Sequence, residues 1–267
     1  VSKQLIPIYD KPMVYYPLAT LMLAEIKDIL LITTQLDIER FKFLLGDGSQ
    51  WGIKISYKVQ DEPKGIAEAF ILGEEFIKDS NIALILGDNI FYGNELSKDL
   101  LEAKTLTGAT IFVSKVSDPE RYGIVEFDRE NNPINISEKP SNPTSNYAIT
   151  GLYYYDNNVI KIAKEIKPSK RGELEITDIN KIYLKNGNLN IQRFGRGHAW
   201  LDTGTHESLL EASQFVSTIE NRQGLKICCP EEIAYRKKFI TKKDLENLAI
   251  NLRKTNYGKY LFSIVNE

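Results

Sequence analysis

Cysteine is scarce in this sequence, which contains only Cys228 and Cys229 among its 267 residues. Because the two are adjacent, their spacing suits neither an ordinary disulfide framework nor a tetrahedral metal site. The sequence therefore excludes the class of small disulfide-stapled secreted domains and predicts a reducing, cytoplasmic setting.

Long hydrophobic runs and clusters of positive charge are also lacking. The most apolar stretch, residues 14–26, contains Pro17 and Glu25 and is shorter than the roughly 18 to 20 residues that span a bilayer. We predict no membrane segment and no signal peptide. The 34 Lys and Arg residues are balanced by 36 Asp and Glu residues, so nucleic acid is not an expected partner. An anionic small molecule would have to be bound by a few well-placed cations.

The remaining composition is that of an ordinary globular protein. Hydrophobic residues make up 42% of the sequence and charged residues 26%, which is enough for one large domain or one domain with an appendage.

Hydrophobic patterning predicts alternating strands and helices as far as residue 108. The predicted strands are 28–34, 53–60 and 82–86, and the predicted helices are 38–45, 66–78 and 94–107. The strand at 82–86 is expected to be buried on both faces. Such a β-α-β-α order is typical of a Rossmann-like α/β fold, with a mostly parallel, mixed sheet flanked by helices.

The pattern changes after Gly108, where Asp-Pro, Asn-Asn-Pro and Ser-Asn-Pro turns separate strand-like segments. These segments predict an antiparallel extension with strands at 109–116, 123–127, 134–138 and 148–155. Further helices are predicted at 158–166, 175–186 and 206–222, strands at 189–194 and around Ala199, and a helical tail from Pro230 onward.

Two carboxylates follow apolar segments at positions where α/β sheets bind ligands. Asp88 follows the predicted strand at 82–86, beyond its carboxyl end. Asp202 closes the segment AWLD and precedes a Gly turn and a helix. If the two converge, they form the sparse oxygen site that Mg²⁺ prefers when phosphates supply its other ligands. Alternatively, Asp88 caps a turn, and Thr203 or Thr205 simply caps the helix after Asp202.

Several longer motifs occur in an order that resembles the sugar-phosphate nucleotidyltransferases, in particular the members that act on dTTP and glucose 1-phosphate. The motifs are SKQLIPIYDKPMVYYPL, LLGDGSQWG, LGDNIFYG, DPERYGIVEFD, EKP, TGLYYYD, RGELEITDIN and AWLDTGT. The resemblance covers essentially the whole chain.

The resemblance implies that dTTP and glucose 1-phosphate react to give dTDP-glucose, a precursor of deoxysugars such as rhamnose, and pyrophosphate. Asp88 and Asp202 would hold Mg²⁺, and Asp88 would thereby lie at the nucleotide. Lys3 would contact the nucleotide phosphates, while Lys139 and Arg171 would hold the phosphate of the sugar. The resemblance assigns catalysis to these three cations. Their task would be to align the reactants and to neutralise charge.

The resemblance also implies residues for substrate recognition and regulation. Gln60 and the backbone at Gly65 would read thymine. The glucose pocket would consist of Tyr122, Gly123, Glu138, Ile149 and Gly151. A homotetramer is implied, with a second, regulatory nucleotide site at Gly93, Arg196, Glu232 and Ile233.

Domain boundaries follow from the same resemblance. Residues 1–226 would form the nucleotidyltransferase domain, with a nucleotide-binding part at 1–108 and a sugar-phosphate-binding part at 109–226. Residues 227–267 would form a helical C-terminal element that contributes a subunit contact or a regulatory region.

One segment of the family pattern lies outside the sequence. Family members carry, immediately before the segment that matches Val1, a strand and a Gly-rich loop of the type LAGGxGTRLxPxT, whose backbone amides cradle the nucleotide phosphates. We expect both to precede Val1 in the complete protein, because deleting a central strand costs about as much as the stability of a whole domain.

Two alternatives to thymidylyl transfer remain open. Since the base-reading positions are few, the chain could be a uridylyltransferase or a related enzyme with another nucleotide or sugar. If the Gly-rich loop were truly absent, it could be a catalytically impaired nucleotide-binding paralogue.

Overall fold

The computed structural model describes residues 2–267, which form twelve strands and eleven α-helices. The strands are β1 (Pro7–Ile8), β2 (Lys11–Pro12), β3 (Asp28–Thr33), β4 (Lys54–Val59), β5 (Ile82–Ile85), β6 (Asn89–Gly93), β7 (Ala109–Lys115), β8 (Gly123–Phe127), β9 (Pro133–Glu138), β10 (Tyr147–Tyr155), β11 (Leu189–Phe194) and β12 (His198–Asp202). The helices are α1 (Tyr15–Leu23), α2 (Ile38–Leu45), α3 (Glu68–Leu72), α4 (Glu74–Ile77), α5 (Leu96–Lys104), α6 (Asn158–Glu165), α7 (Ile176–Lys185), α8 (His206–Gln223), α9 (Pro230–Arg236), α10 (Lys242–Asn251) and α11 (Asn256–Val265).

The largest sheet is built around β10 and has the strand order β11-β7-β10-β8-β9, with β5 also paired to β10. Eight of the nine residues of β10 are buried, which explains its nearly continuous apolar and aromatic sequence. On one side β10 pairs with β7 along most of its length, with a register irregularity between Ile149 and Tyr153. On the other side it pairs with β8 at Tyr147 and Ala148 and with β5 from Leu152 onward. Around Gly151, β10 therefore exchanges β8 for β5 as its neighbour on this side.

The α/β fold class predicted from the sequence is confirmed, with helices flanking a curled mixed sheet. Parallel pairing is confined, within residues 2–267, to β3 with β4 and β7 with β11. The sheet is thus more antiparallel than the sequence predicts, because β10 runs against each of its three neighbours. The antiparallel extension predicted after Gly108 corresponds to β7 through β10.

An apolar groove separates β3 from β5. In the described part of the chain, β3 pairs only with β4 and β5 only with β10. The groove has a volume of about 820 Å³ and is lined by residues of both strands, including Leu30, Ile32 and Leu84. The prediction that 82–86 is buried on both faces is wrong, since residues 82–85 are half-buried along this groove.

Most predicted helices agree with the structure within about two residues, and two differences have a clear cause. The helix predicted at 66–78 is divided into α3 and α4 at Gly73, whose missing side chain weakens helical continuity. The strand β6 was not predicted, because its residues follow the turn residues Gly87 and Asp88 directly and are stabilised by pairing with β12.

The C-terminal residues form α9, α10 and α11, as the helical pattern predicts. These helices share an apolar cluster that includes Leu245, Ala249 and Leu261. The buried Glu231 carboxylate joins them to the rest of the chain by accepting hydrogen bonds from Trp51 Nε1 at 3.2 Å and from the Tyr257 hydroxyl at 2.5 Å. Among the helices of residues 2–267, none combines the length and apolarity needed to cross a bilayer.

Candidate active site

The pairing of β6 with β12 brings Asp88 and Asp202 together. In this ladder Asp202 lies opposite Asn89, the residue after Asp88. Thr203 fixes the approach, since its backbone N–H and its hydroxyl both donate to the Asp88 carbonyl, at 3.1 Å and 2.8 Å. Both carboxylates line one cavity of about 520 Å³. Two acidic residues that are far apart in the sequence thus converge on one site.

The alternative that Thr205 caps the helix after Asp202 is confirmed, and this cap is independent of the Asp202 carboxylate. Helix α8 is capped by Thr205, which accepts from the Ser208 backbone N–H while Ser208 Oγ accepts from the Thr205 backbone N–H. Asp202 is not needed for this capping box, and Thr203 contacts Asp88 instead. The Asp88 carboxylate accepts from the Asn89 side-chain amide at 2.9 Å.

Each carboxylate has a cation beside it. Lys3 forms an ion pair with Asp88, and Arg121 Nη2 lies 3.7 Å from Asp202 Oδ2. Burial raises the pKa of Asp202, and the negative charge of Asp88 raises it further, whereas Lys3 and Arg121 act in the opposite direction. The site therefore holds two negative charges that repel each other and are partly neutralised by two cations.

The donor set fits a metal ion that is shared with a phosphate substrate. In the described part of the chain, no group of three or more His, Cys, Asp or Glu side chains is arranged to hold a metal. Two converging carboxylates match the way Mg²⁺ is bound in phosphoryl-transfer sites, where water and phosphate oxygens complete its coordination.

The same cavity is lined by the residues predicted to bind glucose. Tyr122, Gly123, Glu138, Ile149 and Gly151 all line it. Glu138 on β9 lies opposite Gly123 on β8, and a Cβ atom at Gly123 would stand 3.3 Å from Glu138 Oε2. At Gly151 a Cβ atom would lie 2.7 Å from Asn89 Oδ1, so this close approach of β10 to β6 requires glycine.

The two cations predicted to hold the sugar phosphate differ in their surroundings. Lys139 lines the cavity, is exposed, and has no carboxylate oxygen within 4.0 Å among the described residues. Its backbone has a positive φ of 43°, and its N–H donates to the Tyr122 carbonyl at 3.0 Å. Arg171 lies outside the cavity wall, where its Nη2 is 3.0 Å from Glu175 and 4.0 Å from Glu138. A phosphate at Arg171 would therefore compete with carboxylates that already hold the guanidinium.

The predicted base-reading residues lie on the neighbouring groove. Gln60 and Gly65 line it, and the groove shares Ile66 and Leu86 with the cavity. The two spaces therefore adjoin at the end of β5, beside Asp88. The Gln60 side-chain NH₂ group donates to Glu68 Oε2 at 2.6 Å. The side-chain carbonyl oxygen of Gln60 has no hydrogen-bond partner within residues 2–267.

The loop that carries Gly65 is tied to the loop that carries Arg171. Leu174 N–H donates to the Lys64 carbonyl at 2.7 Å, and Ala67 N–H donates to the Leu174 carbonyl at 3.2 Å. Gly65 has a φ of +99°, and a Cβ atom there would lie 2.4 Å from the Leu174 carbonyl oxygen. Only glycine fits this contact between the two loops.

We expect Gly65→Ala to displace the Leu174 segment and to destabilise the protein by about 2 to 4 kcal/mol, because backbone strain and steric overlap add. Gly172→Ala is the matched control, since Gly172 has a φ of +79° but nothing within 4 Å of its Cβ position. That variant should lose only about 1 kcal/mol. Denaturant unfolding of both variants measures the difference, and equal losses would contradict the steric contribution.

The four residues predicted to form a regulatory site occupy two regions. Gly93 ends β6 opposite His198, and Arg196 is exposed just before β12. Glu232 and Ile233 lie in α9, where Glu232 accepts from Arg236 Nε at 2.7 Å. Helix α1 packs against both β6 and α9. No hydrogen bond or ion pair joins the two regions within residues 2–267.

The cavity is also lined by residues that were not singled out from the sequence, among them the polar residues Asn89, Arg121, Thr177 and Asn180. Asn89 and Arg121 are direct neighbours of predicted residues in the motifs LGDN and PERYG. Thr177 and Asn180 are buried on α7. They could have been found as polar positions on the apolar stripe formed by Ile176, Ile179 and Tyr183.

Comparison with known proteins identifies relatives over nearly the whole chain. The family described as nucleotidyl transferase matches residues 1–219. A protein named glucose-1-phosphate thymidylyltransferase from Neisseria gonorrhoeae is 56% identical over 266 residues, which cover 99% of this chain and 92% of that protein. The protein of the same name from Mycobacterium tuberculosis strain H37Rv is 51% identical over 265 residues, with coverage of 99% and 92%.

Solved structures show the same likeness. A structure from Bacillus anthracis described as a glucose-1-phosphate thymidylyltransferase in complex with sucrose has a TM-score of 0.73 and 40% identity, and covers 80% of this chain and 85% of its own. A UDP-glucose pyrophosphorylase bound to UDP-glucose has a TM-score of 0.69 at 24% identity, with coverage of 81% and 90%. At that identity the second structure shows a likeness of fold alone.

Proposed function

Because the chain belongs to the nucleotidyl transferase family, we propose that it transfers the thymidylyl group of dTTP to glucose 1-phosphate, forming dTDP-glucose and pyrophosphate. A relative that is 56% identical carries the name of this activity. The structural observation that carries the proposal is the convergence of Asp88 and Asp202 on a cavity that adjoins the groove beside β5.

In this reaction an oxygen of the sugar phosphate attacks the α-phosphorus of dTTP, and the bond to the departing pyrophosphate breaks in line. Both reactants are anions, so the protein must align them and offset their repulsion. Lys139 lines the cavity, and its ammonium group has no carboxylate partner among residues 2–267, so we assign it to the phosphate of glucose 1-phosphate. Arg171 would exchange a carboxylate partner for the same phosphate, while Lys3 beside Asp88 would contact the nucleotide phosphates.

We assign Mg²⁺ to Asp88 and Asp202, where it would neutralise charge on the nucleotide phosphate oxygens. The two carboxylates repel each other when no cation lies between them, which is consistent with the raised pKa of Asp202. Lys3 and Arg121 partly neutralise the charges of Asp88 and Asp202.

Recognition is divided between the two adjoining spaces. Thymine would contact Gln60 and the backbone at Gly65, where the Gln60 side-chain carbonyl oxygen, which has no hydrogen-bond partner within residues 2–267, can accept from a pyrimidine N–H. Glucose would occupy the cavity, whose volume of about 520 Å³ suits a small ligand. Tyr122, Gly123, Glu138 and the stretch from Ile149 to Gly151 would surround it.

Pyrophosphate release from the complete protein tests this function. With glucose 1-phosphate and Mg²⁺, dTTP should be used at least tenfold more efficiently than UTP, ATP, CTP or GTP. A preference for UTP would reassign the chain as a uridylyltransferase. Binding of dTTP without turnover would indicate a nucleotide-binding protein without catalytic activity.

We further propose that the protein is a cytoplasmic homotetramer in which residues 227–267 provide a subunit contact. Family resemblance supports this assembly, and both cysteines, Cys228 and Cys229, are free thiols. The regulatory nucleotide site would use Gly93, Arg196, Glu232 and Ile233. Light scattering of the purified protein, with and without residues 227–267, measures the assembly.

A further inference from the structure

Helix α7 buries two polar residues on its apolar face. Ile176, Ile179 and Tyr183 form the core side of this helix, and Thr177 and Asn180 lie among them with 2% and 0% of their surface exposed. A buried hydroxyl is unfavourable unless it has a hydrogen-bond partner. A threonine at such a position is therefore expected to serve a specific contact.

The Thr177 hydroxyl donates to Glu138 Oε2 at 2.5 Å, which is the one hydrogen bond this hydroxyl makes within residues 2–267. The contact joins α7 to β9, on which α7 packs. Gly123 on β8 lies beside this contact, since a Cβ atom there would be in ordinary van der Waals contact with Thr177 Oγ1, at 3.5 Å. Three elements therefore meet at one carboxylate oxygen.

This contact decides which Glu138 oxygen remains for a ligand. Strand β9 is at the edge of its sheet and pairs only with β8 in the described part of the chain, and Glu138 has three rotatable side-chain bonds. With Oε2 bound to Thr177, Oε1 is left, and its nearest cation is Arg171 Nη2 at 4.0 Å. A carboxylate fixed before the ligand arrives loses less conformational freedom on binding.

We propose that Thr177 is a positioning residue for sugar recognition, whose hydroxyl holds Glu138 so that Oε1 accepts a hydrogen bond from a hydroxyl of glucose 1-phosphate. This inference rests on the proposed function. Thr177 contacts Glu138 and not the reacting phosphates, so its effect belongs to the binding of the sugar rather than to phosphoryl transfer.

Kinetics of Thr177→Val, which keeps the shape of the side chain but lacks the hydroxyl, test the proposal. The KM for glucose 1-phosphate should rise on the order of tenfold, as expected for a lost hydrogen bond to a charged group. The KM for dTTP and kcat should stay within about threefold. Thr177→Ser should restore the KM for glucose 1-phosphate to within about threefold of the wild-type value.

A matched control and substrate analogues distinguish a general loss of packing from the loss of the hydrogen bond between Thr177 and Glu138. Thr20→Val removes another buried hydroxyl, which donates to the Tyr16 carbonyl in α1, and it should leave both KM values unchanged. With deoxyglucose 1-phosphates, the tenfold effect of Thr177→Val should disappear for the analogue that lacks the hydroxyl bound by Glu138. An effect that persists with every analogue, equal effects on both substrates, or a failure of Thr177→Ser to rescue would overturn the proposal.

Wild-type turnover of dTTP with glucose 1-phosphate tests the proposed function separately from the role of Thr177. If that turnover is absent, calorimetric titration of wild type and variants with glucose 1-phosphate decides the role of Thr177. Tenfold weaker binding by Thr177→Val then supports it, and equal binding, or no binding by the wild type, overturns it. If Thr177→Val does not fold, Thr177→Ala replaces it in the comparison with Thr177→Ser.

Discussion

Asp88→Asn and Asp202→Asn are each expected to lower kcat by about 100- to 1000-fold while the protein remains folded. Asparagine keeps the shape of each side chain but removes the negative charge that would hold Mg²⁺ against the substrate phosphates. Stabilisation by a metal ion amounts to several kcal/mol in such reactions, and each 1.4 kcal/mol corresponds to about a factor of ten in rate.

Pyrophosphate release over a range of Mg²⁺ concentrations measures this loss. Asp79→Asn, which neutralises an exposed carboxylate between α4 and β5, is the control and should retain wild-type turnover. Near-normal turnover in either site variant would remove that residue from the metal site. A shift of the Mg²⁺ dependence to higher concentration would support it.

The stability of the Asp202→Asn variant provides a second check. Because burial and the neighbouring Asp88 raise the pKa of Asp202, its charged form is less favourable in the folded than in the unfolded protein. At neutral pH this carboxylate therefore lowers stability. The loss shrinks as the pH falls through the raised pKa of the folded protein and is absent only below the ordinary pKa of 3.8, which applies to the unfolded chain. Removing the charge should leave the thermal unfolding temperature unchanged or higher. A clear decrease would instead indicate a structural role.

Lys139→Ala is expected to raise the KM for glucose 1-phosphate by about 10- to 100-fold, with a much smaller effect on the KM for dTTP. The ammonium group has no carboxylate partner among the described residues, so its charge is available to a phosphate. A hydrogen bond between charged groups contributes about 1.5 to 3 kcal/mol. Steady-state kinetics with each substrate varied in turn measure the two constants, and the reverse ratio would reassign Lys139 to the nucleotide.

Backbone strain at Lys139 permits a further variant that separates stability from activity. With a φ of 43°, a residue with a side chain is strained by about 1 kcal/mol relative to glycine. Lys139→Gly should therefore be at least as stable as wild type but as defective as Lys139→Ala. The exposed Lys170→Ala serves as the charge control and should retain wild-type kinetics.

The secondary structure could be predicted where a local pattern was enough to determine it. The apolar strands β3, β7 and β10 and the amphipathic helices α6 and α7 lie within about two residues of their predicted positions. In each case the periodicity of side chains matches the periodicity of the backbone. The prediction was wrong for the burial of 82–85, because burial depends on which neighbours a strand has.

Most of the candidate site could be named from motifs, because the resemblance supplied the residues. Asp88, Asp202, Tyr122, Glu138 and Lys139 all line the cavity. Arg171 does not, since its loop turns the guanidinium toward Glu175. Roles that depend on a partner were not predictable. The contact from Thr177 to Glu138 joins residues on a helix and a strand, and neither sequence position indicates the other.

The sequence by itself determined the class of protein, the order of its elements and the types of its chemical groups, because composition, periodicity and turn residues act over short stretches of chain. Only the tertiary structure decided that β6 and β12 pair, which brings Asp88 and Asp202 to one cavity. It also decided that Thr177 fixes one oxygen of Glu138. Such contacts form between residues far apart in the chain, and their geometry is set by the packing of whole elements rather than by any local pattern.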